Sequence, residues 1–331
     1  MTPTGKIPYT KPFLTLDQQI ALLASRGLAI PDTAFAKDCL KNIGYYRLSG
    51  YWYPMRESQL AQNQDGTDEL MVTDTFRTGS GFAQIIDIYT YDKRLRILLM
   101  DLLERIEIAI RTDITLQLGQ YSPWAYRDPQ YFHPRFDSDI LPNHSATQFA
   151  EFLNDFDTKT VPRSKAEFVK HFQEKYSDPL PIWAAVELWD FGTLATIFEG
   201  MKVQDKMAIT KRYGLTKPDL LPSWIRSLAY LRNLCAHHSR VWNKPPVRQP
   251  KLPEQGKIPV LDHLHEDRYA SQRLYAIIAV MRYLQQVIGP QSTWGEKLIT
   301  LNDTFPVAPG IEFRHMGYPE NWRELDLWRV V

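Results

Sequence analysis

Residues 82–118 carry the longest uninterrupted helical pattern in this chain. Neither Pro nor Gly interrupts the pattern, and its apolar residues recur with the 3.6-residue period of an amphipathic helix: Ile85, Ile88, Leu95, Leu99, Leu102, Ile106, Ala109 and Ile110. At 1.5 Å per residue, such a helix is roughly 55 Å long. Helical patterns fill most of the remaining chain and strand signals are few and short. The sequence therefore predicts an all-α fold organised around this central helix.

Composition limits the classes of function that the chain can have. Its 39 Lys and Arg residues against 38 Asp and Glu residues exclude a generally basic nucleic-acid coat, so any site for a polyanion must be a local patch. The two cysteines, Cys39 and Cys235, cannot form a disulfide framework and predict a reducing, cytoplasmic location. The apolar runs are too short for a membrane span, and no secretory signal, metal-binding motif or phosphate-binding glycine loop is evident. We therefore predict no metal, no cofactor and no membrane partner.

One such local patch lies between Leu220 and Pro253, a stretch without Asp or Glu. It contains six cations: Arg226, Arg232, Arg240, Lys244, Arg248 and Lys251. Its densest part, Arg232–Asn243, also carries paired histidines, in a predicted helix over Leu220–Trp242 that ends before Pro245-Pro246. Arginine binds phosphate with a rigid fork, and histidine exchanges protons near neutral pH. This combination indicates chemistry on a phosphodiester.

The spacing within this segment leaves the site geometry open. Asn233 and His237 are four residues apart and lie over one another on a helix, whereas Arg232 and His237 are about 140° apart around the axis. Three arrangements would bring Arg232 and His237 to one substrate: a distorted helix, a second copy from a partner subunit, or a wide substrate flanked by both. The alternative is a polar helix face on which His237 is structural.

A second group of charges lies on the predicted central helix. Glu104, Glu107 and Arg111 are spaced so that they share one half-buried face. Charges in such a position require partners. The group is interpreted either as an internal Glu107–Arg111 pair or as a carboxylate that orients Arg232 or a histidine.

Residues 43–53 place five aromatic side chains and Arg47 between glycines. This segment is interpreted either as a tightly packed helix corner or as a stacking platform for an RNA strand, with Tyr45, Tyr46 and Arg47 as binding residues.

The run Arg232-Asn233-Leu234-Cys235-Ala236-His237 resembles the R-N-x-x-x-H form of the Rx4–6H motif of HEPN-superfamily ribonucleases. Further segments come in the order found in the Abi-like (AbiD/AbiF) abortive-infection family, and the resemblance covers roughly residues 10 to 290. They are Ile43–Tyr51, Tyr91–Arg96 with Ile106, Glu107 and Arg111, Trp183–Gly192 and Arg232–Asn243.

This resemblance implies a phage-defence protein with a helical HEPN-like core that cleaves RNA without a metal. Arg232 and His237 would be the catalytic pair, Asn233 would accompany them, and His238 also satisfies the motif spacing. Arg226, Arg240 and Lys244 would contribute to RNA binding. Because HEPN nucleases usually join two motif copies and this chain has one, the resemblance implies a homodimer with a composite site.

Two further functions remain open. One is an RNA-binding protein that scaffolds a small structured non-coding RNA without cutting it, and the other is a toxin or regulator acting through protein contacts. The predicted domains are an N-terminal helical region over residues 1–78, a HEPN-like helical domain over 79–290 and a C-terminal extension over 291–331.

Overall fold

The computed structural model describes residues 8–62, 67–142 and 144–329 and is predominantly helical. Its α-helices are α1 (Leu16–Ser25), α2 (Thr33–Ile43), α3 (Tyr45–Trp52), α4 (Phe82–Gly119), α5 (Pro134–Ser138), α6 (Gln148–Asp155), α7 (Val161–Arg163), α8 (Glu167–Lys175), α9 (Ile182–Ala185), α10 (Phe191–Gly200), α11 (Val203–Arg212), α12 (Leu220–Ala236), α13 (His263–Glu266), α14 (Arg268–Ser271), α15 (Leu274–Ile288) and α16 (Trp294–Asp303). A single small sheet accompanies them in the described residues, so the all-α prediction is confirmed.

The chain forms two compact units. Unit 1 comprises Met1–Arg94 and Leu301–Phe313, and unit 2 comprises Leu95–Thr300 and Arg314–Val331. The domain boundaries expected from the sequence, after residues 78 and 290, stay a prediction.

Unit 1 contains the sheet, which is an antiparallel hairpin of β1 (Arg56–Gln62) and β2 (Asp68–Phe76) with a register shift between Arg56 and Ser58. The polar sequence of residues 57–81, with Asp65-Gly66 and Gly79-Ser80-Gly81, predicts a loop or a short hairpin, and the structure has a hairpin there. Its expected turn at Asp65-Gly66 lies outside the described residues. The helices α2 and α3 meet at Gly44, whose φ of 94° is readily adopted only by a residue without a Cβ.

The central helix predicted from the apolar period is α4, and at 38 residues it nearly matches the predicted span. The eight apolar residues that define the period are buried as expected. Seven of them are at most 1% exposed, and Ala109 is half-buried. Periodicity predicts α4 well because one continuous face of the helix is removed from water.

Unit 2 is built around α12 and α15, which pack against each other, and α10 also packs on α12. The buried face of α12 includes Trp224, Leu228 and Leu231. The amphipathic pattern of residues 268–287 predicts a single helix, and this prediction is wrong in one respect, because the structure divides the segment into α14 and α15 at Gln272-Arg273. Among the described helices, none is both long and apolar enough to cross a lipid bilayer.

Candidate functional site at the end of helix α12

Helix α12 ends at Ala236, immediately before the paired histidines, so the predicted extension to Trp242 is wrong. The His238 N–H donates to the Cys235 carbonyl at 3.0 Å, and the Ser239 N–H donates to the Leu234 carbonyl at 2.9 Å. These two bonds define a Schellman motif, which satisfies the last carbonyls of a helix. His238 adopts the left-handed conformation that this motif requires, with φ of 55°.

Tertiary packing explains why the helix ends there, since no Gly or Pro occurs between Arg232 and Asn243. The chain turns and buries Val241 and Trp242, which are 1% and 0% exposed. Burying two such side chains contributes about 4 kcal/mol, whereas one non-glycine residue in the left-handed region costs about 1–2 kcal/mol. Burial of Val241 and Trp242 therefore outweighs the local preference of the sequence for a longer helix.

The histidines remain at the surface after this turn. His237 and His238 are both exposed, and His237 keeps a near-helical backbone with φ −87° and ψ 12°. His237 therefore still points about 140° away from Arg232 around the axis. Within the described chain, no hydrogen bond or ion pair joins Arg232 to His237. One copy of the motif thus presents its Arg and its His on different sides of the helix end.

Arg232 is held by α4. Its Nε lies 3.7 Å from Oε2 of Glu107, and its Nη1 donates to Oδ1 of Asn233 at 3.3 Å. The Arg232 side chain is 32% exposed, whereas that of Glu107 is 9% exposed. The guanidinium is therefore anchored from the protein side and retains access to solvent. Asn233 is exposed. Its backbone carbonyl accepts from the His237 N–H, and its side-chain oxygen accepts from Arg232.

Glu107 joins two arginines. Arg111 Nη2 donates to Oε1 of Glu107 at 2.7 Å and to the Trp189 carbonyl at 2.7 Å. Both predicted contacts of Glu107, to Arg111 and to Arg232, are thus present. Burial raises the pKa of the Glu107 carboxyl, and the charges of Arg111 and Arg232 partly oppose that rise. Arg111 Nη1 also lies 3.7 Å from Oε2 of Glu187, so Glu107 is the more buried carboxylate of a cluster that contains two arginines and two glutamates.

The segment predicted as an RNA-stacking platform is helix α3 of unit 1. Tyr45 is half-buried and packs edge-on against Trp52, with ring centroids 4.9 Å apart. Tyr46, in contrast, is 92% exposed, and Arg47 beside it is also exposed. The corner is therefore a packed one with Tyr46 and Arg47 on its outer side, and an RNA-binding role for this segment stays a prediction.

The other three predicted RNA-binding cations lie in unit 2. Arg226 is exposed on α12 and forms an ion pair with Glu199 of α10. It precedes Arg232 by six residues, which places it about 9 Å away along the axis and on another side of the helix. Arg240 and Lys244 follow the Schellman turn and are half-buried. Arg226 therefore does not join Arg232.

Sequence reasoning missed the environment of Arg226, which is a cleft of about 570 Å³ also lined by Lys206 and Arg248. Arg248 belongs to the stretch without acidic residues, so the sequence did indicate that it could be part of a basic patch. Lys206 lies on α11, outside that stretch, and no sequence pattern connects it to α12. As for metals, the described residues contain no cluster of three or more His, Cys, Asp or Glu side chains that could hold an ion.

Comparison with known proteins gives one informative match. A family model described as Abi-like protein matches residues 38–243, which is more than half of the chain. The matched region contains α4 with Glu107 and Arg111 as well as α12 with its histidine turn. No curated protein matches, and no solved structure does. On the family match, this chain belongs to the Abi-like protein family.

Proposed function

We propose that this protein acts in abortive-infection phage defence as a HEPN-type endoribonuclease that needs no metal ion. Membership of the Abi-like family suggests the defence role. The observation that carries the enzymatic proposal is the end of α12, where Arg232 is fixed by Glu107 and His237 is exposed one turn further on. These are the residue types that phosphodiester cleavage through the 2′-OH requires.

The reaction follows from the chemistry of RNA. A histidine imidazole takes the proton of a 2′-OH, the oxygen attacks the adjacent phosphorus, and the bond to the leaving 5′-oxygen breaks. The imidazolium formed in this way, or a water molecule, then gives a proton to that oxygen. Arg232 stabilises the charge that develops on the phosphorane oxygens. The products are a 2′,3′-cyclic phosphate and a 5′-OH, and DNA is inert because it lacks the nucleophile.

The geometry favours a site shared between two chains. Because Arg232 and His237 of one chain point to different sides of the helix end, a phosphate bound to Arg232 is not positioned for His237 of the same chain. A two-fold axis near the end of α12 would place the His237 of one protomer beside the Arg232 of its partner. The active species is then a homodimer with two composite sites.

The direct test is cleavage of a generic single-stranded RNA in EDTA by the wild-type protein, Arg232→Ala and His237→Ala. We expect cutting by the wild type, cyclic-phosphate ends, and a loss of at least about 100-fold in each variant. Matched controls are Arg163→Ala and His171→Ala, which replace exposed residues far along the chain from α12. Full activity in both Arg232→Ala and His237→Ala, with folding intact, contradicts the proposal.

Mixing the two inactive variants tests whether the site is shared. In a randomly reassorted mixture, about half of the dimers are heterodimers and each has one intact composite site, so about a quarter of wild-type activity returns. If each chain instead carries a complete site, mixing restores nothing.

The second candidate function is a scaffold that binds a small structured RNA without cutting it. The exposed Tyr46 and its neighbour Arg47 favour this function, because an exposed aromatic ring beside a guanidinium can stack on an unpaired base. This function predicts salt-sensitive RNA binding that Tyr46→Ala weakens, with no cleavage product after long incubation.

A further inference from the structure

The cleft beside Arg226, here called the basic cleft, lies in unit 2 between the start of α12, α11 and the segment 247–251. Four cations line it, Lys206, Arg226, Arg248 and Lys251, together with two carboxylates, Glu199 and Asp219. Its lining therefore has a formal net charge of +2. Its volume of about 570 Å³ is within the range of small-ligand sites.

Glu199 forms an ion pair with only one of the cations around it, although its charge also acts on Lys206 and Arg248. Its carboxylate pairs with Arg226, while the Lys206 ammonium donates to the Glu199 backbone carbonyl at 2.9 Å. Arg248 is exposed and makes no hydrogen bond or ion pair in the part of the chain that the structure describes. Lys206 is half-buried, and this burial lowers the pKa of its ammonium group while the charge of Glu199 partly opposes the shift. An anion in the cleft would find two cations without a full carboxylate partner.

The floor of the cleft offers a further polar group. Both polar atoms of the Gln249 side chain are buried, and neither has a hydrogen-bond partner within the described residues. Buried amides are almost always hydrogen-bonded, so the Gln249 side chain has hydrogen-bonding capacity left for a ligand in the cleft that it lines. A rotation of this side chain toward the cleft would bring a donor to an anionic oxygen.

The remaining wall is apolar. Pro218 and Pro222 line it, and so does Val247, which is 83% exposed. The segment 247–251, which carries Arg248 and Lys251, is fixed to α12 by two hydrogen bonds. The Lys251 N–H donates to Ser223 Oγ at 2.9 Å, and Trp224 Nε1 donates to the Lys251 carbonyl at 2.8 Å. The cleft thus combines cationic side chains with apolar ones.

We propose that the basic cleft binds the phosphate group of a nucleotide, with Arg248 and Lys206 on the phosphate and the apolar wall against the sugar and base. Arginine and lysine are the side chains that bind phosphate oxygens most strongly. The nucleotide is either free or the 5′-phosphorylated end of an RNA strand, since both present the same group. The site is separate from Arg232, and it does not depend on RNA being cleaved there.

The test is equilibrium binding by calorimetry to the full-length protein. The probes are adenosine 5′-monophosphate, inorganic phosphate, and a short RNA with and without a 5′-phosphate. The variants are Arg248→Ala and Lys206→Ala, with Arg163→Ala and Lys211→Ala as matched controls that remove exposed cations outside the cleft. We expect each cleft variant to weaken binding about tenfold or more and the controls to leave it unchanged.

The probes separate the two sources of the phosphate. Binding of the mononucleotide more tightly than inorganic phosphate supports a free nucleotide, and a preference for the 5′-phosphorylated RNA over its unphosphorylated form supports an RNA end. Failure of every probe at millimolar concentration overturns the proposal, as does binding that Arg248→Ala and Lys206→Ala leave intact. Gln249→Leu gives an independent check, because it should weaken phosphate binding without removing a charge. These binding results are independent of whether Arg232→Ala abolishes cleavage.

Discussion

Oε2 of Glu107 lies 3.7 Å from Nε of Arg232, although the two residues are on different helices and 125 positions apart in the chain. The contact connects the C-terminal half of α4 to the C-terminal part of α12. It restricts the rotation of the Arg232 guanidinium, and it leaves the side of that group away from α4 open to solvent. Glu107 is therefore the residue through which the fold determines where the Arg232 guanidinium meets solvent.

The first prediction concerns the stability of the protein as a function of pH. Burial raises the pKa of folded Glu107 above the usual 4.5, so between those two values the native state binds more protons than the unfolded state. The free energy of unfolding therefore falls as pH rises from about 4.5 through the raised pKa. Glu107→Gln should remove this slope, because the amide does not titrate. Urea unfolding at a series of pH values between about 4 and 8 measures how the free energy of unfolding depends on pH.

The control for that experiment is Glu104→Gln, one turn earlier on α4 and exposed. It should leave the wild-type slope in place and change stability by less than about 0.5 kcal/mol. A wild-type protein and a Glu107→Gln variant with the same pH dependence would contradict the assignment of Glu107 as a buried, titrating carboxylate.

The second prediction concerns the role of Glu107 in positioning Arg232. Glu107→Gln retains an acceptor for Arg111 but loses the charge that holds Arg232, so kcat for RNA cleavage should fall about tenfold while KM changes little. A purely structural role would instead lower activity only in proportion to the fraction of folded protein. Steady-state kinetics together with a thermal melt of the same sample distinguish the two, and equal kcat in the variant and the wild type would refute the positioning role.

The third prediction separates the two histidines. At φ of 55°, His238 occupies a conformation that glycine adopts freely and that a β-branched residue strongly disfavours. Because both variants lack the imidazole, His238→Gly should be more stable than His238→Val by about 1–2 kcal/mol in urea unfolding. If His237 is the catalytic histidine, His238→Gly also keeps most of the cleavage activity. Loss of activity in His238→Gly with an intact fold would instead assign the reaction to His238.

The fourth prediction tests the packing of α10. A Cβ on Gly200 would lie 2.5 Å from Cδ1 of Phe136, whereas one on Gly192 would lie 3.4 Å from Oδ1 of Asp190. Gly200→Ala should therefore destabilise the protein by about 1–3 kcal/mol through overpacking. Gly192→Ala, in the same helix, should be neutral or stabilising by up to about 1 kcal/mol. Denaturant midpoints for the pair measure both effects, and equal midpoints would show that the Phe136 ring moves freely.

The fold was predictable where one physical signal dominates over a long stretch. Helix α4 is such a case, because a continuous apolar face over 38 residues leaves no competing arrangement. The end of α12 was not predictable in the same way. Its local sequence is compatible with a helix, and only the burial of Val241 and Trp242 accounts for the turn at His238.

The sequence by itself determined the helical class, the central helix, and the presence of a cationic segment with an Arg-Asn and a His-His pair. Tertiary structure decided that Glu107 reaches Arg232, that His237 follows the last helical residue, and that Arg226 faces Lys206 and Arg248 in a separate cleft. The physical reason is the range of the interactions. Periodicity and charge are properties of neighbours along the chain, whereas ion pairs and clefts between helices depend on how distant segments pack.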